Sequence, residues 1–138
     1  MTLEIEEQPI TVKPVSEELR LNFLPRYFGK HFSRGEAMIY DWASRLSTEY
    51  SGGYWEFFEL SNGGFYLAPV GAPVHVQWHL NSFDGVLSAD AFGIVVTLFS
   101  LCHLAEVSGD DDIGERYHHL RDFAFSHAEA ATIARAID

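Results

Sequence analysis

The segment Ala91–Ala105 constrains the fold most, because it is apolar on nearly every side of the helix that it would form. A helix with no polar face must be surrounded by the rest of the fold. At about 15 residues the segment is shorter than the roughly 20 apolar residues that cross a bilayer. We therefore expect a central buried helix and no membrane contact, with Ser88 as its N-cap and Asp90 in its first turn.

Alternating apolar and polar residues predict antiparallel strands ahead of this helix. The clearest pattern is Val74–Leu80, in which every second residue is apolar. Tyr54–Leu60 and Phe65–Ala68 are predicted strands joined by the hairpin loop Ser61–Gly64, whose Asn and Gly tolerate positive φ. A short fourth strand is expected at Val86–Ser88.

Start and stop signals place the other helices. Pairs of the capping-box type stand at three expected helix starts: Ser33 with Glu36, Asp112 with Glu115, and Ser126 with Glu129. The first of these helices is expected to run for about 17 residues and to stop at Gly52-Gly53. A short helical turn after Ser16 is expected to end before Pro25, because the residue preceding a proline disfavours helical backbone.

This order of elements predicts an α+β fold. Strands and helices are segregated along the chain, so a small antiparallel sheet, a meander of three or four strands, would pack with about four to five helices in a single domain. The length of 138 residues fits one domain. Residues 1–15 are expected to form an extended acidic arm, an edge strand at best because its prolines cannot donate to a ladder. The domain itself would span residues 16–138.

The acidic charge restricts the partners of this domain. Twenty acidic and nine basic residues give a net charge of −11, which disfavours direct contact with nucleic acid. A domain of this length is about 37 Å across, and duplex DNA of that length carries about 20 phosphate charges. The protein carries about half of that charge over its whole surface, so full mimicry of DNA is weakly supported. A partial DNA mimic and a generic acidic protein-binding module both remain open.

No metal, cofactor or catalytic set is predicted. The single cysteine, Cys102, excludes a disulfide framework and is expected in the core of its apolar helix. The chain is therefore expected to be a soluble protein of a reducing, cytoplasmic compartment. His75 and His79 share a strand face about 13 Å apart, too far for one metal ion. One enzymatic alternative is a hydrolase with paired carboxylates: Glu56 with Asp84 or Asp90.

Two polar segments are the candidate partner-binding surfaces. The first is the acidic run Asp110, Asp111 and Asp112 with Glu115. It fails the EF-hand pattern, because the sixth and twelfth positions from Asp110 hold Glu115 and Arg121 instead of glycine and glutamate. The run is either a solvated loop that favours the next helix N-terminus or an anionic contact for a basic partner. The second segment is the hairpin tip, with Ser61, Asn62, Gly63 and Gly64.

Seven aromatic residues lie between Tyr50 and Tyr66, in and beside the predicted hairpin. Such a cluster can stack on single-stranded bases, but that mode needs a basic groove, and this segment has neither Lys nor Arg. Packing on both faces of the sheet is therefore the predicted role. A ring left exposed would instead indicate a protein-binding surface.

The run Tyr50–Pro69, YSGGYWEFFELSNGGFYLAP, resembles the central signature of the ArdB/KlcA antirestriction family. Further stretches are similar to that family: Phe23–Trp42, Leu87–Phe99, Arg116–Ala124 and the ending Ala134–Asp138. The resemblance covers roughly Leu19 to the C-terminus.

The resemblance implies a small bacterial protein of plasmids, genomic islands or other mobile elements, which protects incoming DNA from type I restriction-modification enzymes. It implies an inhibitor that is not an enzyme, so it carries no catalytic residue onto this chain. The implied partner is the type I restriction-modification complex or an accessory host protein. The family is also distinct from the elongated DNA-mimic antirestriction proteins, in agreement with the charge arithmetic.

Overall fold

The computed structural model of the protein describes residues 9–138, which form two small sheets and five α-helices. The strands are β1 (Val12–Pro14), β2 (Trp55–Leu60), β3 (Phe65–Pro69), β4 (Val74–Trp78) and β5 (Phe83–Leu87). The helices are α1 (Arg20–Phe28), α2 (Phe32–Leu46), α3 (Ala89–Ser108), α4 (Asp111–Ala124) and α5 (Ala130–Ile137). Short 3-10 turns, Glu17–Leu19 and Gly29–His31, precede α1 and α2.

The strands form two antiparallel sheets, with the orders β1-β2-β3 and β4-β5. The predicted α+β class in a single domain is confirmed, although the strands do not form one continuous meander. The free edge of β3 is covered by α3, because Thr97 Oγ1 accepts the Leu67 N–H at 3.3 Å. Pro69 then ends β3 without a further backbone donor. The last strand, β5, begins at Phe83, three residues before the predicted start at Val86.

Helix α3 is the core helix of the fold, as predicted, and packs against both sheets, α2, α4 and α5. Its predicted N-cap is confirmed, because the Ser88 hydroxyl accepts the Ala91 N–H at 3.1 Å. The helix is 20 residues long, so the expectation that it is too short to cross a bilayer is wrong. Among the described residues it is the one helix long and apolar enough for that, and 61% of its apolar window is buried inside the protein. Such burial is typical of the core helix of a folded domain.

Helix α3 approaches the backbone of β3 closely at Gly93. A Cβ atom at this position would lie 2.4 Å from Ala68 Cα and from the Leu67 carbonyl oxygen. Ordinary carbon contacts are about 3.5–4.0 Å, so no side chain fits between the helix and the strand. The glycine therefore allows Thr97, one turn later, to reach the same strand edge.

The N-terminal segment joins the first sheet. Strand β1 pairs with β2 at the edge of the sheet, a position that tolerates Pro14. Residues 1–8 of the predicted arm lie outside the described residues. The predicted helix end before Pro25 is wrong, since α1 continues through it to Phe28. Pro25 cannot donate to the Leu21 carbonyl, but Leu21 is 88% exposed, so water can replace that hydrogen bond.

The predicted capping boxes do not form at Ser33, Asp112 or Ser126. Helix α2 begins at Phe32 without a side-chain cap and ends at Leu46, well before the predicted glycine pair. Helix α4 is capped by Asp110. Glu129, expected to cap α5, instead accepts the Ser88 N–H at 2.9 Å. The spacing of this third pair suits a cap, but Glu129 binds a residue that is distant in sequence.

Candidate functional site

The acidic run lies at the start of α4, where its residues have different roles. Asp110 caps the helix with Oδ1, which accepts the Asp112 N–H at 3.0 Å, and with Oδ2 it accepts a hydrogen bond from His31 Nε2 at 3.0 Å. This half-buried carboxylate therefore fastens α4 to the turn before α2. Asp111, Asp112 and Glu115 are exposed. The two aspartates in the first turn interact favourably with the helix dipole.

The hairpin tip between β2 and β3 is docked on the middle of α4. Asn62 Nδ2 donates to the His119 carbonyl oxygen at 2.8 Å, while Asn62 Oδ1 accepts the Gly64 N–H at 3.0 Å. The Arg116 guanidinium donates to the carbonyl oxygen of Gly63. Gly64 is buried, and a Cβ atom there would lie 2.9 Å from His119 Cβ. The tip is thus held rigidly and is not a free loop.

The structure brings both predicted surfaces onto α4. Arg116, which holds the tip, directly follows the exposed Glu115 in the helix. Ser61 is the exposed residue of the tip, and its hydroxyl accepts the Thr11 N–H at 2.8 Å. We call Asp111, Asp112, Glu115 and Ser61 the α4 surface. Its contact with a partner stays a prediction.

Arg116 is the residue of this site that the sequence analysis missed. Its guanidinium carbon lies 5.1 Å from the centroid of the Tyr27 ring, which gives the tip a second anchor on α1. Burial, and then the Glu59 carboxylate, raise the pKa of Tyr27. Arg116 is one of three basic residues after Arg45. Basic residues are rare in this part of the chain, and this rarity could have indicated from the sequence that the charge of Arg116 has a specific partner.

The aromatic cluster of the hairpin packs as predicted, with one exception. Trp55, Phe65 and Tyr66 are buried, and the other rings except Tyr54 are half-buried. Tyr54 is 50% exposed, and its hydroxyl donates to Glu17 Oε1 at 2.7 Å. An exposed aromatic ring is therefore present at the start of the hairpin, where it can contact another molecule.

The prediction that Cys102 lies in the core is wrong, because this residue is exposed. It lines a small cavity of about 70 Å³ between α3, α4 and α5, together with Phe99, Tyr117 and Ile137. Partial desolvation, and then the Glu106 carboxylate, raise the pKa of the Cys102 thiol. The thiol is therefore protonated at neutral pH and is a poor nucleophile. A helix without a polar face gave no signal for which side reaches solvent.

The Asp84 carboxylate makes hydrogen bonds between the two strands of the second sheet. Its two oxygens bind the His75 ring and the Gln77 amide on β4. The hydrogen bond from His75, followed by that from Gln77, lowers the pKa of Asp84. Glu56 lies on β2 in the other sheet. Within residues 9–138, no group of three or more His, Cys, Asp or Glu side chains is arranged to hold a metal ion.

A second network joins the start of α3 to the loop before α5. Asp90 accepts the Tyr66 hydroxyl at 2.7 Å and a hydrogen bond from His127 Nε2 at 2.8 Å. His127 Nδ1 accepts the Glu129 N–H at 2.9 Å, which fixes the proton on Nε2. Burial, and then the hydrogen bond to Asp90, raise the pKa of Tyr66 far above its ordinary value. Both Asp90 oxygens are therefore occupied, whereas a general acid or base needs one directed at its substrate.

Fold and site together define a class: an acidic α+β protein that presents a rigid hairpin tip and an exposed acidic helix start. Asp84, Asp90 and Glu129 are used in internal contacts. The chain belongs to the antirestriction protein family. The sequence model of this family, described as antirestriction protein, matches residues 48–138.

Similar proteins extend this match over nearly the whole chain. An Escherichia coli antirestriction protein KlcA is 49% identical over 142 residues, covering 99% of this chain and 100% of its own length. A second Escherichia coli KlcA is 51% identical over 138 residues, with 94% of each chain covered. A solved structure from work on KlcA and ArdB has a TM-score of 0.89 and 49% identity, covering 99% of this chain and 100% of that one. That work reports a novel fold and antirestriction activity against type I DNA restriction systems in vivo but not in vitro.

Proposed function

We propose that this protein inhibits type I restriction-modification systems in the cytoplasm and protects incoming mobile-element DNA, by binding a protein and not by catalysis. The observation that carries the proposal is the nearly full-length similarity to KlcA, at 49% identity and a TM-score of 0.89. The activity reported for KlcA and ArdB against type I systems is therefore the activity to test here.

An accessory host protein is the partner that this similarity favours over the purified restriction complex. The related proteins act in vivo but not in vitro, so a component present in cells and absent from the purified reaction would account for the difference. The α4 surface is the proposed contact, because Asp111, Asp112 and Glu115 are exposed while Asp110 is used internally. An acidic surface of this kind fits a basic region of a partner.

Partial DNA mimicry is the alternative that the charge distribution raises. Residues 47–138 carry 13 acidic and three basic residues, so the acidic charge is concentrated after α2. A DNA mimic, however, needs only the restriction enzyme, and the related proteins are inactive in vitro. Mimicry would also make binding fall steeply with added salt. Binding that is insensitive to salt and to competing DNA would exclude it.

The first experiment measures the plating efficiency of unmodified phage on a host with a type I restriction system, with and without this protein. The control is an isogenic host that lacks the restriction subunit. We expect the protein to raise plating on the restricting host and to leave plating on the control host unchanged. Unchanged plating on the restricting host, with soluble protein present, would refute the proposed function.

The second experiment tests the α4 surface. The double variant Asp111→Lys/Asp112→Lys reverses two exposed charges and spares the capping residue Asp110. The matched control, Asp41→Lys/Glu106→Lys, makes the same change of net charge at exposed positions of α2 and α3. We expect the first variant to protect at least about tenfold less well than the wild-type protein, which is the size of effect seen when a residue buried in an interface is changed. The control should protect as well as the wild-type protein. Equal protection by both variants would exclude the α4 surface as the contact.

A further inference from the structure

Large apolar side chains are exposed together where α1, the start of α2 and β2 meet. Leu21 is 88% exposed, Tyr54 is 50% exposed and Phe32 is 43% exposed. The buried side of α1 is complete without Leu21, since Phe23, Leu24, Tyr27 and Phe28 already fill it. The packing of the fold therefore does not explain why Leu21 is exposed to water. Exposed apolar residues grouped in this way are typical of interaction sites.

Leu21 and Phe32 border a groove of about 380 Å³ on the protein surface. Its apolar walls come from α1, α2 and β2: Leu21, Leu24, Pro25, Phe32 and Phe57. Arg20, Glu17 and Glu36 supply its polar groups. We call it the Arg20 groove. Aromatic residues and arginine are the residue types enriched in the hot spots of protein interfaces.

Arg20 is held in place but incompletely bound. Its guanidinium carbon lies 4.8 Å from the centroid of the Tyr54 ring and 4.9 Å from that of Phe57. Nη1 donates to the Trp55 carbonyl oxygen at 3.2 Å, while the buried Nε has no hydrogen-bond partner. Among the described residues no carboxylate lies within ion-pair distance of Arg20. Glu17, on the groove border, instead accepts the Tyr54 hydroxyl.

A guanidinium with unused donors on a fixed aromatic support is suited to a carboxylate, which it can bind through two parallel hydrogen bonds. The groove also holds the carboxylates of Glu17 and Glu36, and Glu17 already accepts the Tyr54 hydroxyl. The unused donors of Arg20, and not the net charge of this part of the protein, therefore select a carboxylate.

We propose that the Arg20 groove binds a segment of a partner protein in which a large apolar side chain stands next to a carboxylate. The apolar side chain fills the space between Leu21 and Phe32, and the carboxylate binds Arg20. This inference rests on the proposed function, because it assigns a second contact surface to the same antirestriction protein. The surface is distinct from the α4 surface and opposite to it in charge preference.

The first test uses two tripeptide probes, acetyl-Leu-Glu-Leu-amide and acetyl-Leu-Gln-Leu-amide, titrated into isotope-labelled full-length protein and followed by NMR. We expect the Glu peptide to shift the Arg20 Nε–H and Leu21 methyl signals and to bind about tenfold more tightly than the Gln peptide. Leu21→Glu should abolish binding, because its carboxylate occupies Arg20. Equal binding of the two peptides, or no saturable shift at the groove, would overturn the proposal.

The matched control is Leu80→Glu. Leu80 is 74% exposed and lies at the β4–β5 turn, so this variant makes the same chemical change outside the groove. Both variants change a highly exposed side chain and should keep the urea midpoint of the wild-type protein. We expect the control to bind the Glu peptide as the wild-type protein does. Loss of binding in both variants would show that general acidity, and not the groove, controls the affinity.

The plating assay separates this inference from the proposed function. If the wild-type protein fails to protect phage, the proposed function fails, while the peptide titration still decides whether the groove binds its ligand. If the wild-type protein protects, Leu21→Glu should lose at least about tenfold of the protection and Leu80→Glu should keep it. Full protection by Leu21→Glu would overturn the groove as a partner surface. Sedimentation tests a further outcome. If the wild-type protein is a dimer and Leu21→Glu is a monomer, the groove binds a second copy of this chain, and the proposal of a partner protein is overturned.

Discussion

Replacing Gly93 by alanine would insert one methyl group between α3 and the backbone of β3. The new Cβ atom would lie 2.4 Å from Ala68 Cα, so the helix and the strand would have to separate by at least about 1 Å to reach ordinary contact. Overpacking of this kind costs about 1–3 kcal/mol, with rigid backbone at the upper end. Separation would also break the hydrogen bond between Thr97 and Leu67, worth about 1 kcal/mol. The better helix propensity of alanine returns about 1 kcal/mol, which leaves a net loss of about 3 kcal/mol.

Urea unfolding followed by tryptophan fluorescence measures this loss. With a denaturant dependence of about 1–3 kcal/mol per molar, the Gly93→Ala midpoint should fall by roughly 1–3 M. Gly114→Ala is the matched control, because Gly114 lies inside α4 and a Cβ atom added there would have no neighbouring atom within 4 Å. That variant should be stabilised by about 0.4–1 kcal/mol. A Gly93→Ala free energy of unfolding within about 0.5 kcal/mol of the wild-type value would refute the close approach of α3 to β3.

Three further predictions concern hydrogen-bonded side chains. Ser88→Ala removes the N-cap of α3 and a donor to Glu129, so the free energy of unfolding should fall by about 1–2 kcal/mol in the same titration; an unchanged midpoint would contradict the cap. The His75 ring holds the pKa of Asp84 below its ordinary 3.8, so this stabilisation is present above that value and is lost as the pH falls through the folded-state pKa. Urea midpoints measured down to about pH 2.5 should therefore decline more steeply in the wild-type protein than in Asp84→Asn, and parallel declines would exclude the link. Burial and Asp90 hold the pKa of Tyr66 well above its ordinary 10.0, so the wild-type protein should lose stability as the pH rises above that value and only the unfolded chain ionises. Tyr66→Phe should lose less stability over the same alkaline range, and identical slopes would show that Tyr66 ionises equally in both states.

The features that the sequence predicted are those determined by neighbouring residues. The apolar run around Phe92 and Leu98 could only be a buried helix, and Ser88 stood at the correct distance to cap it. The capping boxes expected from spacing did not form. In the third of them Glu129 binds Ser88, which is 41 positions away, and not its own helix. Spacing along the chain contains no information about such a partner.

The candidate site was predictable only in part, for the same reason. The position of Asp111 and Asp112 at a helix start followed from their spacing before an apolar stripe. The docking of the hairpin tip did not, because it depends on Arg116, 53 residues away from Gly63. The exposure of Leu21 was equally hidden, since a leucine beside buried aromatic residues is normally buried with them.

The contact between Ser88 and Glu129 has a consequence for the folding of the chain during its synthesis on the ribosome. The two residues are 41 positions apart, so at about 5–20 residues per second the second is added roughly 2–8 s after the first. During this interval the most apolar segment of the chain has emerged, or is emerging, without α4 and α5 to cover it. The nascent chain therefore passes through a stage in which this segment is a substrate for chaperones or for aggregation. The cover of this segment is completed only after α5 has been synthesised, so removing α5 should reduce the yield of soluble protein before it affects any binding surface.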